Sequence, residues 1–205
     1  MDKGCTYVQT EPRDENGLTE KEFLEGYDIK KYDRPSVTVD SAVLGRDDAG
    51  RTTVLLIKRR NHPFIGKWAL PGGFLNMDES PEQGAARELF EEAGVKGVTL
   101  RQIGAYGRPD RDPRGRIITI AYLSLLPEGA CPKAGDDARD AAMFTVSVDS
   151  AAKAIILACR ERGEAFSFPY VIEGGRACFI PCDRLAGDHT QILTDALMLA
   201  GELII

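Results

Sequence analysis

The stretch from Gly73 to Val95, GFLNMDESPEQGAARELFEEAGV, is the most informative part of the chain. Ser80, Pro81 and Gln83 supply an N-cap, a favoured first helical residue and a capping-box partner, and Gly94 supplies a C-terminal stop, which predicts a helix over Pro81 to Ala93. At roughly 100° per residue, Ala86, Leu89, Phe90 and Ala93 fall on one stripe, predicted to face the core. Glu88, Glu91 and Glu92 share another face, because three- and four-residue steps bring side chains together on a helix. Gly84 lies one turn earlier on that face and leaves space beside it. Three carboxylates so close repel one another, and a hard divalent cation, which prefers oxygen ligands, removes the conflict. Arg87, four residues before Glu91, can hold one carboxylate by paired hydrogen bonds. An acidic helix face taken alone is far more often solvated surface than metal site.

Working outward, the β-branched alternation SVTVDSAVL (Ser36 to Leu44) predicts a strand, the Asp/Gly-rich segment Gly45 to Gly50 a turn, and Thr53 to Lys58 a second strand, together a hairpin-like pair. Asn61 to Gly73 is loop-like, rich in Pro and Gly. Beyond the central helix, strands are expected at Val98 to Ala105, Ile117 to Leu126 and around Met143 to Val148, with the charged loop Arg108 to Arg116 between the first two. Ser150 to Arg162 and Thr190 to Leu203 have helical spacing. Residues 1–17 read as a loose leader, followed by a short helix over Leu18 to Tyr27 with Thr19 as N-cap. Strands with helices inserted at intervals, and no regular βαβ alternation, predict an α+β fold with a mixed sheet sandwiched between helices (αβα).

With 205 residues, 43% of them hydrophobic and 28% charged, the chain matches an ordinary globular domain and neither a disordered nor a fibrous class. The formal net charge of -6 opposes a broad electrostatic grip on nucleic acid, which needs clustered Lys and Arg. Five cysteines (5, 131, 159, 178 and 182) form no zinc-type paired spacing and are odd in number, so they read as reduced thiols. With no apolar signal core at the N-terminus and no apolar run of about 20 residues, neither secretion nor membrane insertion is expected, and the cytoplasm is the expected location.

The helix and its flanks resemble the Nudix box, G-x5-E-x7-R-E-U-x-E-E-x-G-U with U aliphatic. Gly73, Glu79, Arg87, Glu88, Leu89, Glu91, Glu92, Gly94 and Val95 occupy its nine specified places. At ordinary residue usage, a chance match in one window falls below roughly one in 10^8. The flanking segments Arg34 to Leu44, Val54 to Phe74, Arg111 to Leu123, Gly135 to Phe144 and Leu185 to Leu197 are similar to the ADP-ribose pyrophosphatase-like (MutT-like) branch of that family. The chain departs from the branch at Met143, where a tryptophan is usual. The resemblance implies the Nudix fold over residues 35–205, preceded by an N-terminal arm over 1–34. It implies hydrolysis of the diphosphate bond in a nucleoside diphosphate derivative, ADP-ribose to AMP and ribose 5-phosphate foremost. Sugar nucleotides, dinucleotides and damaged nucleoside triphosphates are the alternative substrates.

The same resemblance implies Mg²⁺, with Mn²⁺ as a substitute, held by Glu88, Glu91, Glu92 and the Gly73 carbonyl, with Glu79 and Arg87 fixing the carboxylates. The general base is Glu88 or Glu92, with Asp136, Asp137 and Asp140 as further candidates. Arg108, Arg111 and Arg114 are candidates for binding substrate phosphates by bidentate geometry, although Asp110 and Asp112 among them make an internally paired loop an equal reading. Trp68 reads as packing more than as a base platform, and His62 and His189, with no matching partners, as surface or capping residues. A rival class is a regulator that senses ADP-ribose-like ligands without cleaving them. It would carry a degraded box and a basic recognition helix, whereas this box is intact and no such helix is apparent after Val148. No nucleic acid or membrane partner is expected, and a homodimer is left open.

Overall fold

The computed structural model describes residues 11–127, 129–135 and 138–203, with backbone alone at 138 and 139. It divides into two compact units, Met1–Arg34 and Pro35–Ile205. The first holds α1 (Glu20–Gly26), started by a complete capping box in which Thr19 and Glu22 bond each other's backbone N–H.

The second unit is built on β1 (Ser36–Arg46), β2 (Thr52–Arg59), β3 (Trp68–Ala69), β4 (Gly72–Phe74), α2 (Pro81–Ala93), β5 (Arg101–Tyr106), β6 (Ile117–Leu125), β7 (Ala138–Asp149), β8 (Ala154–Cys159), β9 (Glu164–Pro169), β10 (Ile172–Glu173), β11 (Arg176–Ala177) and α3 (His189–Leu199). Nine strands form one mixed sheet in the order β5-β6-β1-β2-β7-β8-β9, with β3 beside β2 and β4 beside β1. β1 and β6 run parallel, and the other pairs within this sheet are antiparallel. Because successive side chains on a strand point to opposite faces, Val43, Leu55 and Ile57 meet Leu89 and Ala93 of α2 on one side. Ala42, Leu44, Val54 and Leu56 meet Ile192, Leu193, Ala196 and Leu197 of α3 on the other. Two buried faces explain why β1 and β2 read as almost continuous apolar runs, and the result is the expected αβα sandwich.

The sheet opens where β1 and β2 part. They pair only through Leu44–Val54, Gly45–Thr53 and Arg46–Thr52. Beyond that, β4 takes the free edge of β1 at Thr38 to Asp40, and β3 takes that of β2 at Ile57 and Lys58. This fork carries Gly72 and Gly73 to the foot of α2.

Two expectations need correction. Ser150 to Arg162 is not a helix: Asp149 accepts from the Ala152 N–H at 2.9 Å, Lys153 turns with φ 49°, and β8 then pairs with β7 and β9. The isoleucine-rich AIILAC buries Ile155, Leu157 and Cys159 in strict alternation, so a period of two overrode the helical spacing. A single 3-10 turn, Arg160–Arg162, follows. On α2 the core stripe is Ala85, Leu89 and Ala93, whereas Ala86 and Phe90 are exposed. The sheet faces this helix about one residue position away from the expected direction, and Lys96 sits 3.8 Å over the Phe90 ring.

Candidate active site

α2 forms as its termini dictate: Ser80 accepts from the Gln83 N–H at 3.3 Å, the Gln83 side chain accepts from the Ser80 N–H at 2.8 Å, and Gly94 closes the helix at φ 66°. Its acidic side faces the fork and lines a cavity of about 430 Å³. Glu88, Glu91 and Glu92 border this cavity together with Gly73 and Arg87.

Arg87 organises the acids. Its Nε and Nη2 donate to both oxygens of Glu79, at 3.0 and 2.7 Å, and its Nη1 donates to Glu88 at 2.8 Å and to Glu91 at 2.9 Å. A further bond from Nη2 to the Phe74 carbonyl, 3.0 Å, ties α2 to β4. Glu79 also accepts from the Asn76 N–H, and the hydrogen bonds from Arg87, with this one, hold its carboxyl down at about 2. Gly84 leaves room here, since a Cβ would stand 2.6 Å from the Leu75 side chain and 3.1 Å from the Glu79 carboxylate and would displace them.

Glu88 and Glu92 are under the opposite stress. Burial raises the Glu88 carboxyl above its ordinary value, against the pull of Arg87. Burial also pushes Glu92 up to about 8, with Glu88 and Asp40 adding repulsion and the Gly72 N–H, at 2.9 Å, opposing it. Carboxylates withdrawn from water and aimed at one another are stabilised by a cation between them. Gly73 fits the same arrangement: a Cβ there would stand 2.3 Å from Glu88 Oε1, so a side chain at this position would push the acid from its place against the backbone. The donor set is all oxygen, of the kind that suits Mg²⁺ or Mn²⁺. Among the described residues no group of three or more Asp, Glu, His or Cys side chains is placed so that it could hold a metal ion by itself.

The arginine loop is paired partly within itself and partly to the start of α3. Arg111 is buried in a bidentate pair with Asp188, both bonds 2.8 Å, and Arg114 pairs with Asp112 at 3.0 and 2.8 Å while stacking 4.8 Å from the Phe74 ring centroid. Both border the cavity. Arg108 does not: it pairs with Asp110, lies 3.9 Å over Phe179 and lines a different crevice with Tyr106 and Arg176. Arg116 donates to the Gly107 carbonyl. Of the later-loop acids, Asp140 is engaged by Arg162 at 2.7 and 2.8 Å, which holds its carboxyl low, and it lies outside the cavity. Asp136 and Asp137 lie outside the described residues. So does Cys5, and the remaining four cysteines are free thiols.

Trp68 is 1% exposed, packs edge-on against Phe144 and donates to Glu164 at 2.8 Å, a core role. His189 departs from the surface reading: it is buried at the start of α3, lines the cavity, and its Nδ1 accepts from the Leu70 N–H at 2.8 Å. Sequence reasoning also passed over Asp40, Arg59 and Asp188, all on the cavity wall. Asp40 had a signal, as the lone acid within the apolar run of β1. Arg59 donates to the Pro63 carbonyl at 2.7 Å.

A family model described as NUDIX domain matches residues 36–162. The chain is 40% identical over 130 residues to the ADP-ribose pyrophosphatase of Methanocaldococcus jannaschii, covering 62% of this chain and 73% of that protein. It is 37% identical over 113 residues to the ADPR responsive transcriptional repressor NtrR of Acinetobacter baylyi, covering 54% of this chain but 45% of the repressor. Among solved structures, the NUDIX domain of Shewanella oneidensis NrtR complexed with ADP ribose superposes with a TM-score of 0.64 at 29% identity, over 89% of this chain and 99% of that one.

Proposed function

This chain belongs to the Nudix family and is a Nudix pyrophosphohydrolase, and from that premise we propose that it hydrolyses ADP-ribose to AMP and ribose 5-phosphate with Mg²⁺ or Mn²⁺. The observation that carries this reading is the opposition within one cavity of the partly buried carboxylate of Glu88 and the buried one of Glu92, which it repels, to cationic side chains, Arg59 and Arg114. Glu88, Glu91, Glu92 and the Gly73 carbonyl would hold the cation. When bound, it neutralises diphosphate oxygens and makes water a stronger nucleophile.

This chain's own residues do the rest. Arg87 keeps Glu88 and Glu91 in one geometry through its bonds to Glu79, so that little reorganisation is needed when substrate arrives. Arg59 and Arg114 face the incoming diphosphate. Water adds to one phosphorus, the bridging oxygen leaves with the other phosphate, and the proton released by the water passes to a carboxylate. Glu92, on the cavity wall beside Glu88, is one candidate for that role. Glu88 is the other candidate.

A second reading, a ligand sensor without turnover, is favoured by the similarity to the repressor. One observation favours hydrolysis over it: the box residues Gly73, Glu79, Arg87, Glu88, Glu91, Glu92 and Gly94 are all present. The test is side-by-side catalytic efficiency on ADP-ribose, a sugar nucleotide, a dinucleotide and an oxidised deoxynucleoside triphosphate, with products separated chromatographically. A tenfold preference for any of the other three, about 1.4 kcal/mol of transition-state discrimination, overturns the substrate assignment. Tight binding of ADP-ribose with no turnover at saturating Mg²⁺ or Mn²⁺ supports the sensor.

A further inference from the structure

His189 and Asp40 meet in the cavity from opposite sides of the fork. His189 is the first residue of α3 and is buried. Its Nδ1 is occupied as an acceptor by the Leu70 N–H, so the neutral ring carries its proton on Nε2. Burial holds the imidazole below its ordinary proton affinity, which keeps it neutral. Asp40 sits on β1, with Oδ2 accepting from the Thr119 hydroxyl at 2.6 Å and Arg111 3.8 Å away.

The other two polar atoms face each other. His189 Nε2 and Asp40 Oδ1 are 3.7 Å apart, too far for a hydrogen bond, and neither has a hydrogen bond among the described residues. Gly72 keeps the space beside Oδ1 open, since a Cβ there would stand 2.7 Å from it. The cavity thus presents one fixed donor beside one fixed acceptor.

We infer that Asp40 and His189 form a recognition site for a single sugar hydroxyl of the substrate, which donates to Asp40 Oδ1 and accepts from His189 Nε2. A phosphate oxygen only accepts and is repelled by Asp40, and an ammonium only donates, whereas a hydroxyl does both. The inference rests on the proposed substrate, which carries a ribose on either side of its diphosphate. A site built to bond a hydroxyl rejects the analogue lacking it, because its own polar groups are left unpaired.

His189→Asn retains an acceptor for the Leu70 N–H and deletes the Nε2 donor. Wild type and variant are compared on ADP-ribose and on analogues singly deoxygenated at each ribose hydroxyl. The expected result is one analogue on which wild type loses tenfold or more in kcat/KM while the variant discriminates less than twofold. Equal loss by the variant on every substrate, as for a site that holds only water, overturns the inference, as does wild-type discrimination by the variant. Failure of wild type to cleave ADP-ribose itself would instead overturn the substrate assignment, and the pair is then judged by a measurement independent of turnover. The chain has two histidines, so ¹⁵N-histidine NMR of wild type, assigned with a variant of exposed His62, reports His189 directly. Ribose 5-phosphate added without metal should move the Nε2 resonance and inorganic phosphate should not. No response to ribose 5-phosphate, or an equal response to phosphate, removes the hydroxyl site.

Discussion

Replacing Glu92 by glutamine should separate stability from activity. The carboxyl is buried and held at about 8 instead of its ordinary 4.5. Such a displacement means that the native state binds this proton more tightly than the unfolded chain, so stability is complete below about pH 4.5 and declines as pH rises towards 8. At about 1.4 kcal/mol for each tenfold in proton affinity, the ionised native protein is penalised by up to about 5 kcal/mol, an upper bound before water and side chains relax. Half of that is a reasonable observable. Glutamine keeps an oxygen for the Gly72 N–H and directs an amide instead of a charge towards Glu88 and Asp40. In metal-free buffer at pH 8 the variant should therefore melt above wild type by roughly 5 to 10 °C, at about 2–4 °C per kcal/mol for a domain of this size. The two should converge near pH 4.5. Mg²⁺ should narrow the gap by stabilising wild type alone, and hydrolysis by the variant should fall at least a hundredfold. Differential scanning calorimetry across pH, with and without Mg²⁺, tests this. A variant less stable than wild type at pH 8, or one with wild-type turnover at saturating Mg²⁺, would refute the reasoning.

Exhaustive chelation should abolish hydrolysis, and Mg²⁺ or Mn²⁺ but not Zn²⁺ alone should restore it, because the candidate ligands are all oxygen; a chelator titration with metal add-back measures this. Arg87→Lys should lower kcat/KM tenfold or more with little change in far-ultraviolet circular dichroism, since an ammonium cannot grip both Glu79 oxygens while also reaching Glu88 and Glu91. Asp188→Ala should cost about 3–5 kcal/mol in urea unfolding, because it strands the buried guanidinium of Arg111. A cost below 1 kcal/mol would mean that Asp40, 3.8 Å away, replaces the lost partner.

The fold was legible where one local signal dominated. The boundaries of α2 match its caps to the residue, because Ser80, Gln83 and Gly94 satisfy the helix termini with groups near in sequence. The strands β1, β2 and β6 announced themselves by β-branched runs, which both faces of the sandwich then buried. Residues 150–162 misled because Ile155, Leu157 and Cys159 fit either period over so short a span. The deciding partner, β9, lies later in the chain, and β8 exists because Ile155 meets Phe168 and Leu157 meets Phe166 across the pair. The outward turn of Phe90 has the same origin, since the direction from which the sheet meets a helix is set by tertiary packing and not by the helix's own sequence.

The candidate site divides along the same line. Arg87, Glu88, Glu91 and Glu92 are gathered by one helix, so spacing foretold their grouping, whereas Glu79, in the turn before it, was reached only through the resemblance to the Nudix box. Asp40, Arg59, Asp188 and His189 come from three separated segments, and they share a cavity only because β1 and β2 part and α3 begins beneath the fork. Nothing in the spacing of His189 distinguishes it from a helix-capping histidine. What distinguishes it is the Leu70 N–H, left without a strand partner at the end of β3 and satisfied instead by the imidazole. The division has a chemical counterpart. On the proposed reading, the carboxylates that would hold the cation lie on one rigid helix, where a small error in position would be costly. Arg59 and Arg114, proposed to face the diphosphate, and the pair Asp40 and His189 come from strands, a loop and the start of α3, which can vary while α2 stays fixed. A change of substrate within this fold would then be sought at Asp40 and His189 before any residue of α2.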